Sequence, residues 1–164
     1  MSYGTFHGDF QIATFNRIVK YLQADPYLVS LVAGRIYPQH MSTIENPLYP
    51  CVTIHRQGVG ADQGFAALDK ANLYVDVWSK VGVPDLYSIY AAKDPITFKM
   101  LGIRALLSCG ISGEPKGFDF PEATVNLCRE VYLADNLWDS KTRSFHLAAR
   151  YELQVAAKNV TATQ

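Results

Sequence analysis

Between residues 142 and 156 the chain alternates almost without interruption. Phe145, Leu147, Ala149, Tyr151, Leu153 and Val155 fall on one side, and His146, Ala148, Arg150, Glu152 and Gln154 on the other. A helix repeats its apolar positions every three or four residues, so a period of two over this length specifies a strand. One face belongs in a core; the other is wet or meets a partner. Residues 125–134 form a second strand candidate, and 135–141, which include Asp135, Asn136 and Ser140, predict the turn between them. The C-terminal part should therefore be a long antiparallel hairpin with a polar face that needs an explanation.

Helical signals sit upstream. Phe15, Ile18, Val19 and Leu22 keep helical spacing, and Asp9 is the expected N-cap of a helix over 10–23. Asp25-Pro26 opens a second short helix, an acidic cap followed by proline at the first helical position, with Leu28, Leu31 and Val32 as its apolar side and Gly34 as its stop. Residues 35–38 are extended and 39–46 a polar loop. Pro47 and Pro50 then flank a strand over 49–57, which places them at a strand start or a sheet edge. A second strand over 71–79 sets Leu73, Val75 and Val77 against Tyr74, Asp76 and Trp78, and the connection 58–69, with three glycines, is a long hairpin tip. Residues 84–93 are helix-compatible, and Asp94-Pro95 restarts or kinks a helix through 108 whose stripe is Ile96, Met100, Ile103 and Leu107, closed by Gly110. Residues 112–121 read as a Gly/Pro-rich loop; 1–8 and 159–164 read as loose ends. The expectation is one α+β domain over 1–164, a mostly antiparallel sheet with helices packed on one face.

Function classes narrow by composition. With 49% apolar and 18% charged residues the chain is neither disordered nor membrane-embedded, and no apolar run spans a bilayer. Fifteen basic residues cancel fifteen acidic ones, against the basic excess of a free nucleic-acid-binding module. Cys51, Cys109 and Cys128 are widely spaced and odd in number, which fits reduced thiols rather than a disulfide scaffold or a zinc site. Residues 1–9 lack the pattern of a secretory signal, so a soluble cytoplasmic origin is expected.

Candidate chemistry is sparse. Gly58, Gly60 and Gly64 superficially match a dinucleotide fingerprint, but the third glycine is one position late and the loop leads into a strand instead of a helix N-terminus. His7, His40, His55 and His146 are not spaced as metal ligands. No nucleophile elbow or Ser-His-Asp set is legible, and Asp62, Asp69, Asp76 and Asp85 are too spread for a two-metal cluster. The expected result is no enzyme, no cofactor and no metal. Arg129, Arg143 and Arg150 could share a face of the terminal hairpin, either solvated or lining an oligomeric interface. With Trp78 and Asp62, the residues Arg129, His146, Arg150 and Glu152 are the candidate assembly surface.

Four segments, taken in order, resemble one family. The run Leu28-Val29-Ser30-Leu31-Val32-Ala33-Gly34-Arg35-Ile36-Tyr37-Pro38 is similar to its opening motif. Asn46-Pro47-Leu48-Tyr49-Pro50-Cys51-Val52-Thr53-Ile54 resembles its proline-flanked first long strand. Leu73-Tyr74-Val75-Asp76-Val77-Trp78-Ser79 is similar to its Trp-containing strand, and Leu137-Trp138-Asp139 with residues 142–151 to its final hairpin. The family is the tail terminator (tail-completion, minor tail) proteins of long-tailed bacteriophages. The resemblance covers about 10–156 and departs from the pattern at the 58–69 tip and between Gly82 and Gly110, which is longer than a single helix.

The resemblance implies a structural virion protein at the head-proximal end of the tail, assembled in the host cytoplasm as a hexameric ring. Such a ring stops polymerisation of the tail tube protein and presents the surface to which head–tail connector proteins dock, with DNA passing through its lumen and no membrane involved. A head–tail connector or stopper ring is the alternative within the same machine. A small ligand-binding or hydrolase α+β domain is the alternative outside it, and requires a pocket with convergent polar groups.

Overall fold

The computed structural model describes residues 7–61, 68–109, 117–121 and 123–158. In chain order the elements are helices α1 (His7–Gln23) and α2 (Pro26–Val32), strand β1 (Ile36–Tyr37), a 3-10 turn Met41–Thr43, strands β2 (Cys51–Ala61) and β3 (Leu68–Ser79), and helix α3 (Val83–Tyr90). Strands β4 (Ala92–Lys93) and β5 (Met100–Leu101), a π-helical turn Ala105–Cys109, and strands β6 (Phe118–Asp119), β7 (Ala123–Asp139) and β8 (Ser144–Ala157) follow. Six strands form one sheet in the order β1-β2-β3-β8-β7-β6, antiparallel throughout except for the parallel β1–β2 pair; β4 and β5 form a separate two-stranded piece. This is the expected α+β domain, an antiparallel-dominated sheet with helices on one face.

Central position explains the strong alternation at the C-terminus. β8 is hydrogen-bonded on both sides, to β3 and to β7, and its face alternates without a break: Leu147, Ala149, Tyr151, Leu153 and Val155 are buried while their neighbours are only partly so. Leu73, Val75 and Val77 of β3 and Val52 and Ile54 of β2 continue the same inner face. Ile18 and Leu22 of α1, Leu28 and Val32 of α2 and Leu86 and Ile89 of α3 close over it. Each such side chain removed from water contributes about 1.5–3 kcal/mol, so this one layer contact dominates the stability.

The second helix follows its capping residues. The Asp25 carboxylate accepts the Leu28 amide at 2.9 Å, Pro26 sits in the first turn, and Ala33 ends the helix in a left-handed conformation (φ 50°) ahead of Gly34 (φ 74°). α1 starts at His7, before the expected cap at Asp9, so residues 7 and 8 belong to the helix. Pro50 stands immediately before β2, at the strand start and not at an edge, because β1 pairs outside it. The terminal turn is shorter than expected: β7 runs through Asp135 and Asn136 to Asp139, whose carboxylate accepts the amides of Lys141 and Thr142 at 2.8 and 2.9 Å. The tip of the β2–β3 hairpin at 62–67, the loop 110–116 and the termini 1–6 and 159–164 lie outside the described residues.

One expectation is overturned. Residues 94–108 do not continue α3 as a kinked helix. The Asp94 carboxylate accepts the amides of Ile96 and Thr97 at 2.8 and 2.9 Å, and the Phe98 amide donates to Asp94 O at 2.9 Å, which closes a tight turn between β4 and β5. Short polar side chains that capture nearby amides in this way compete directly with helix hydrogen bonds. Of the proposed stripe only Ile103 and Leu107 are buried; Ile96 is 85% exposed. The chain then re-enters the core at Gly102 (φ 93°), where a Cβ would stand 2.6 Å from Ile89 O and 2.9 Å from Tyr90 O. Only glycine admits that approach.

Candidate functional site

The helices cover one face of the sheet and leave the other without a layer of secondary structure. Strand register arranges that open face as four rows across β2, β3, β8 and β7. They read Cys51–Trp78–His146–Leu137, Thr53–Asp76–Ala148–Ala134, His55–Tyr74–Arg150–Tyr132 and Gln57–Asn72–Glu152–Arg129. Sequence alternation along each strand places these residues together, since every second side chain of a strand shares a face.

At one end of this face a small apolar cluster forms. Met41, Cys51 and Trp78 are buried against Tyr37, Ile44 and Tyr49, which the 3-10 turn and the loop to β2 fold over the sheet. The Trp78 ring stacks on His146 at 4.3 Å and its Nε1 donates to Thr53 Oγ1 at 2.9 Å. Trp78 is therefore a core residue of this cluster, 6% exposed, while Trp138 at the end of β7 is 55% exposed and meets Phe145 edge-on. In the third row His55 stacks flat on Tyr74 at 4.9 Å, and the His40 ring meets His55 at a tilt at the same distance. Tyr74 Oη donates to Gln57 at 3.0 Å, and in the last row Arg129 lies 3.5 Å from Glu152.

Several polar atoms of this face are covered without being satisfied. His55 Nδ1, His146 Nδ1 and Arg150 Nε are buried and have no hydrogen-bond partner. Burial holds both imidazoles below the usual histidine range; His40 lowers His55 further, and Asp139 partly offsets the effect at His146. Burial pushes the Asp76 carboxyl up to about 7. Near neutral pH the middle of the face therefore holds neutral imidazoles and a carboxyl at its titration point. Native proteins pair nearly all buried polar atoms, so an unpaired group marks a place where a ligand, water or partner completes the surface.

The sequence-derived assembly residues are partly gathered here. His146, Arg150, Glu152 and Arg129 share the face and Trp78 anchors its apolar end, while Asp62 lies outside the described residues. Arg143 sits in the β7–β8 turn with φ 51°, off the face. Sequence reading set Asp76 opposite the apolar side of its strand and weighed Asp76 and His55 only as metal ligands, leaving both out of the assembly surface, although the outward positions of alternating strands include them.

A second polar cluster lies under α3 on the covered side. Glu130 accepts Arg104 Nε and Nη2 at 2.9 Å each and the Tyr90 hydroxyl, which also meets the Tyr151 hydroxyl at 2.6 Å. Burial first, then the neighbouring hydrogen bond or charge, raises both phenols far above their ordinary range, so they stay protonated. Every member is satisfied, and the cluster ties α3 and the segment after it to β7 and β8. Residues 104 and 130 are 26 positions apart, with no local sequence signal connecting them.

An open cleft of about 570 Å³ runs beside the apolar cluster, walled by Met41, Ile44, Pro47, Tyr49 and Trp78 and edged by Lys80, Asp139 and Lys141. Lys80 Nζ is held by the carbonyls of Thr142 and Arg143 at 2.6 and 2.9 Å and over the Tyr49 ring. At its exposed rim the Ser42 hydroxyl lies 3.2 Å from His40 Nδ1. Among the described residues no group of three or more His, Cys, Asp or Glu side chains is placed to hold a metal. Burial pushes the Cys51 and Cys128 thiols up to about 12, away from nucleophilic chemistry. No described helix is long and apolar enough to cross a membrane. No protein-family model matches the chain, and no curated protein matches it.

Proposed function

We propose that this protein is a structural subunit of a long-tailed phage virion, a tail terminator that forms a ring on the tail tube, ends its polymerisation and presents the head-docking surface. The supporting observation is the open sheet face, where His55, His146 and Arg150 carry buried nitrogens without partners while the opposite face is fully covered. An edge or face of one subunit that is incomplete alone suits a side-to-side contact that closes into a ring. The order of the segments that resemble those of tail terminators points the same way. The chain's zero net charge suits a ring through which DNA passes without being held, since a strongly basic channel would bind the phosphate backbone.

In this reading Arg150 works in assembly and not in folding. Arg150→Glu should leave circular dichroism unchanged and yield over-length tails, or tails that do not join heads. Normal-length tails and full infectivity from that variant would remove the face from assembly. Binding of the isolated protein to connector complexes but not to tail tubes would reassign it as a stopper ring.

A further inference from the structure

The turn between β4 and β5 exposes two large apolar side chains, Ile96 at 85% and Phe98 at 68%. An exposed apolar tip is common in loose loops, but this one is held. Asp94 accepts three amides within the turn, from Ile96, Thr97 and Phe98, and its own amide donates to Lys99 O at 2.9 Å. Phe98 is fixed at φ 58°, a left-handed conformation that bulky residues avoid. Lys93 Nζ stands 5.4 Å from the Phe98 ring centroid. At the base Gly102 packs against the α3 backbone so closely that no side chain fits. A strained aromatic, 68% exposed on a turn held by its own hydrogen bonds, is shaped for contact with something else.

The same chain carries a receptor of matching character. The cleft holds about 570 Å³, enough for two such side chains, with a floor of Met41, Ile44, Pro47, Tyr49 and Trp78 under a polar rim of His40, Ser42, Lys80, Asp139, Lys141 and Thr142. The tip follows α3 in the helical layer, whereas the cleft opens on the opposite side of the sheet beside Trp78. A single subunit thus displays both parts.

We infer that the Ile96–Phe98 tip of one subunit inserts into the Trp78 cleft of a second copy, a head-to-tail contact. The inference rests on the reading of this chain as a self-assembling subunit and names the contact. A knob and a socket on different surfaces of one molecule form a heterologous interface, which propagates until rotation closes a ring. Charge does not drive it. Lys93 and Lys99 flank the tip with the one carboxylate of Asp94, and Lys80 and Lys141 edge the cleft with the one carboxylate of Asp139, which leaves a surplus of positive charge on each. Like charges therefore face each other at the rim of an apolar contact, and added salt should strengthen association by screening them.

The test is sedimentation velocity of the full chain over a concentration and salt series, with melting temperature measured alongside. Phe98→Gly removes the ring and the left-handed strain together. It should melt at or above the wild-type temperature yet self-associate about tenfold more weakly or worse, as loss of a central aromatic anchor does. Ser42→Trp, at an exposed position lining the cleft, should fill the socket and give the same loss without touching the core. Mixing the two variants then restores one good interface per pair, and a one-to-one dimer that does not grow is expected. Wild-type association by either variant, a mixture that stays monomeric, or a wild-type chain that is monomeric throughout the series overturns this contact. Any of these would leave the tube-capping reading standing, since that is measured by tail length. Loss of tail-tube binding by Phe98→Gly with self-association intact would assign the tip to the tube and overturn the homotypic contact.

Discussion

The two faces of the central strands solve the same problem differently. On the covered face, Tyr90, Tyr151, Glu130 and Arg104 bring four polar groups beneath α3 and satisfy one another within the subunit. On the open face, His55, His146 and Arg150 bring polar atoms just as close to burial and leave three nitrogens unpaired. Both sets rest on the same strands: Tyr151 is the immediate neighbour of Arg150. Burial alone therefore does not separate a structural polar group from one awaiting a partner. The completeness of its hydrogen bonding does.

Adjacent residues of β3 offer the harshest test of this contrast. Leu73 is fully buried on the covered face, and Leu73→Ala should cost about 2–5 kcal/mol by chemical denaturation. Asn72 points to the open face, and Asn72→Ala should change stability by less than about 0.5 kcal/mol. Comparable losses would mean that the open face is a second core and not a surface. A smaller effect is expected at Glu130. Glu130→Leu strands Arg104 and the Tyr90 hydroxyl and should cost about 2 kcal/mol, with the chain otherwise folded. An unchanged midpoint would show that water replaces the carboxylate without loss and that the covered network is not what holds α3.

The finest distinction is one of pH. Asp76, at about 7 when folded, binds its proton more tightly than in the unfolded chain, so its contribution falls as pH rises from about 4 through 7 and is flat above. His55 and His146, lowered by burial, act oppositely: the unfolded chain takes up their protons first, so stability is lost as pH falls below the ordinary histidine range. Asp76→Asn should abolish this decline between about pH 4 and 7, on the order of 4 kcal/mol over that span, and leave the histidine-linked acid-side loss intact. Identical pH profiles for the two proteins would place the Asp76 carboxyl in ordinary solvent contact.

Legibility from sequence tracks how locally each feature is encoded. β8, β3 and α2 were readable because strict alternation, or an Asp-Pro pair three residues ahead of Leu28, states the structure within a few positions. The open face was readable in its β8 half for the same reason. The β4–β5 turn was not, because Ile96, Met100, Ile103 and Leu107 keep helical spacing by coincidence while Asp94 captures the amides a helix would need. Gly102 carried the decisive signal, an isolated glycine inside an apparently helical stripe, and its meaning lies in the backbone of Ile89 and Tyr90. The Tyr90–Glu130–Arg104–Tyr151 cluster joins four distant segments, and no window along the chain contains it.

The pairing of β7 with β8 has a consequence for how this hairpin can change length. β7 uses 17 residues to span what β8 covers in 14, and the register shifts three times, between Val125 and Leu127, Glu130 and Tyr132, and Ala134 and Leu137. Each shift takes up one surplus residue and resets which side chains face inward. β7 thus behaves as a strand with expansion joints. Loss of a residue at one joint, such as the exposed Val131, is taken up there and leaves the neighbouring stretches in phase. β8 has no joint. Removing one residue from its middle would invert every side chain from that point to the end of the strand, exchanging core for surface. The two halves of one hairpin therefore tolerate insertion and deletion very unequally, and β8 is the ruler against which the rest of the sheet is set.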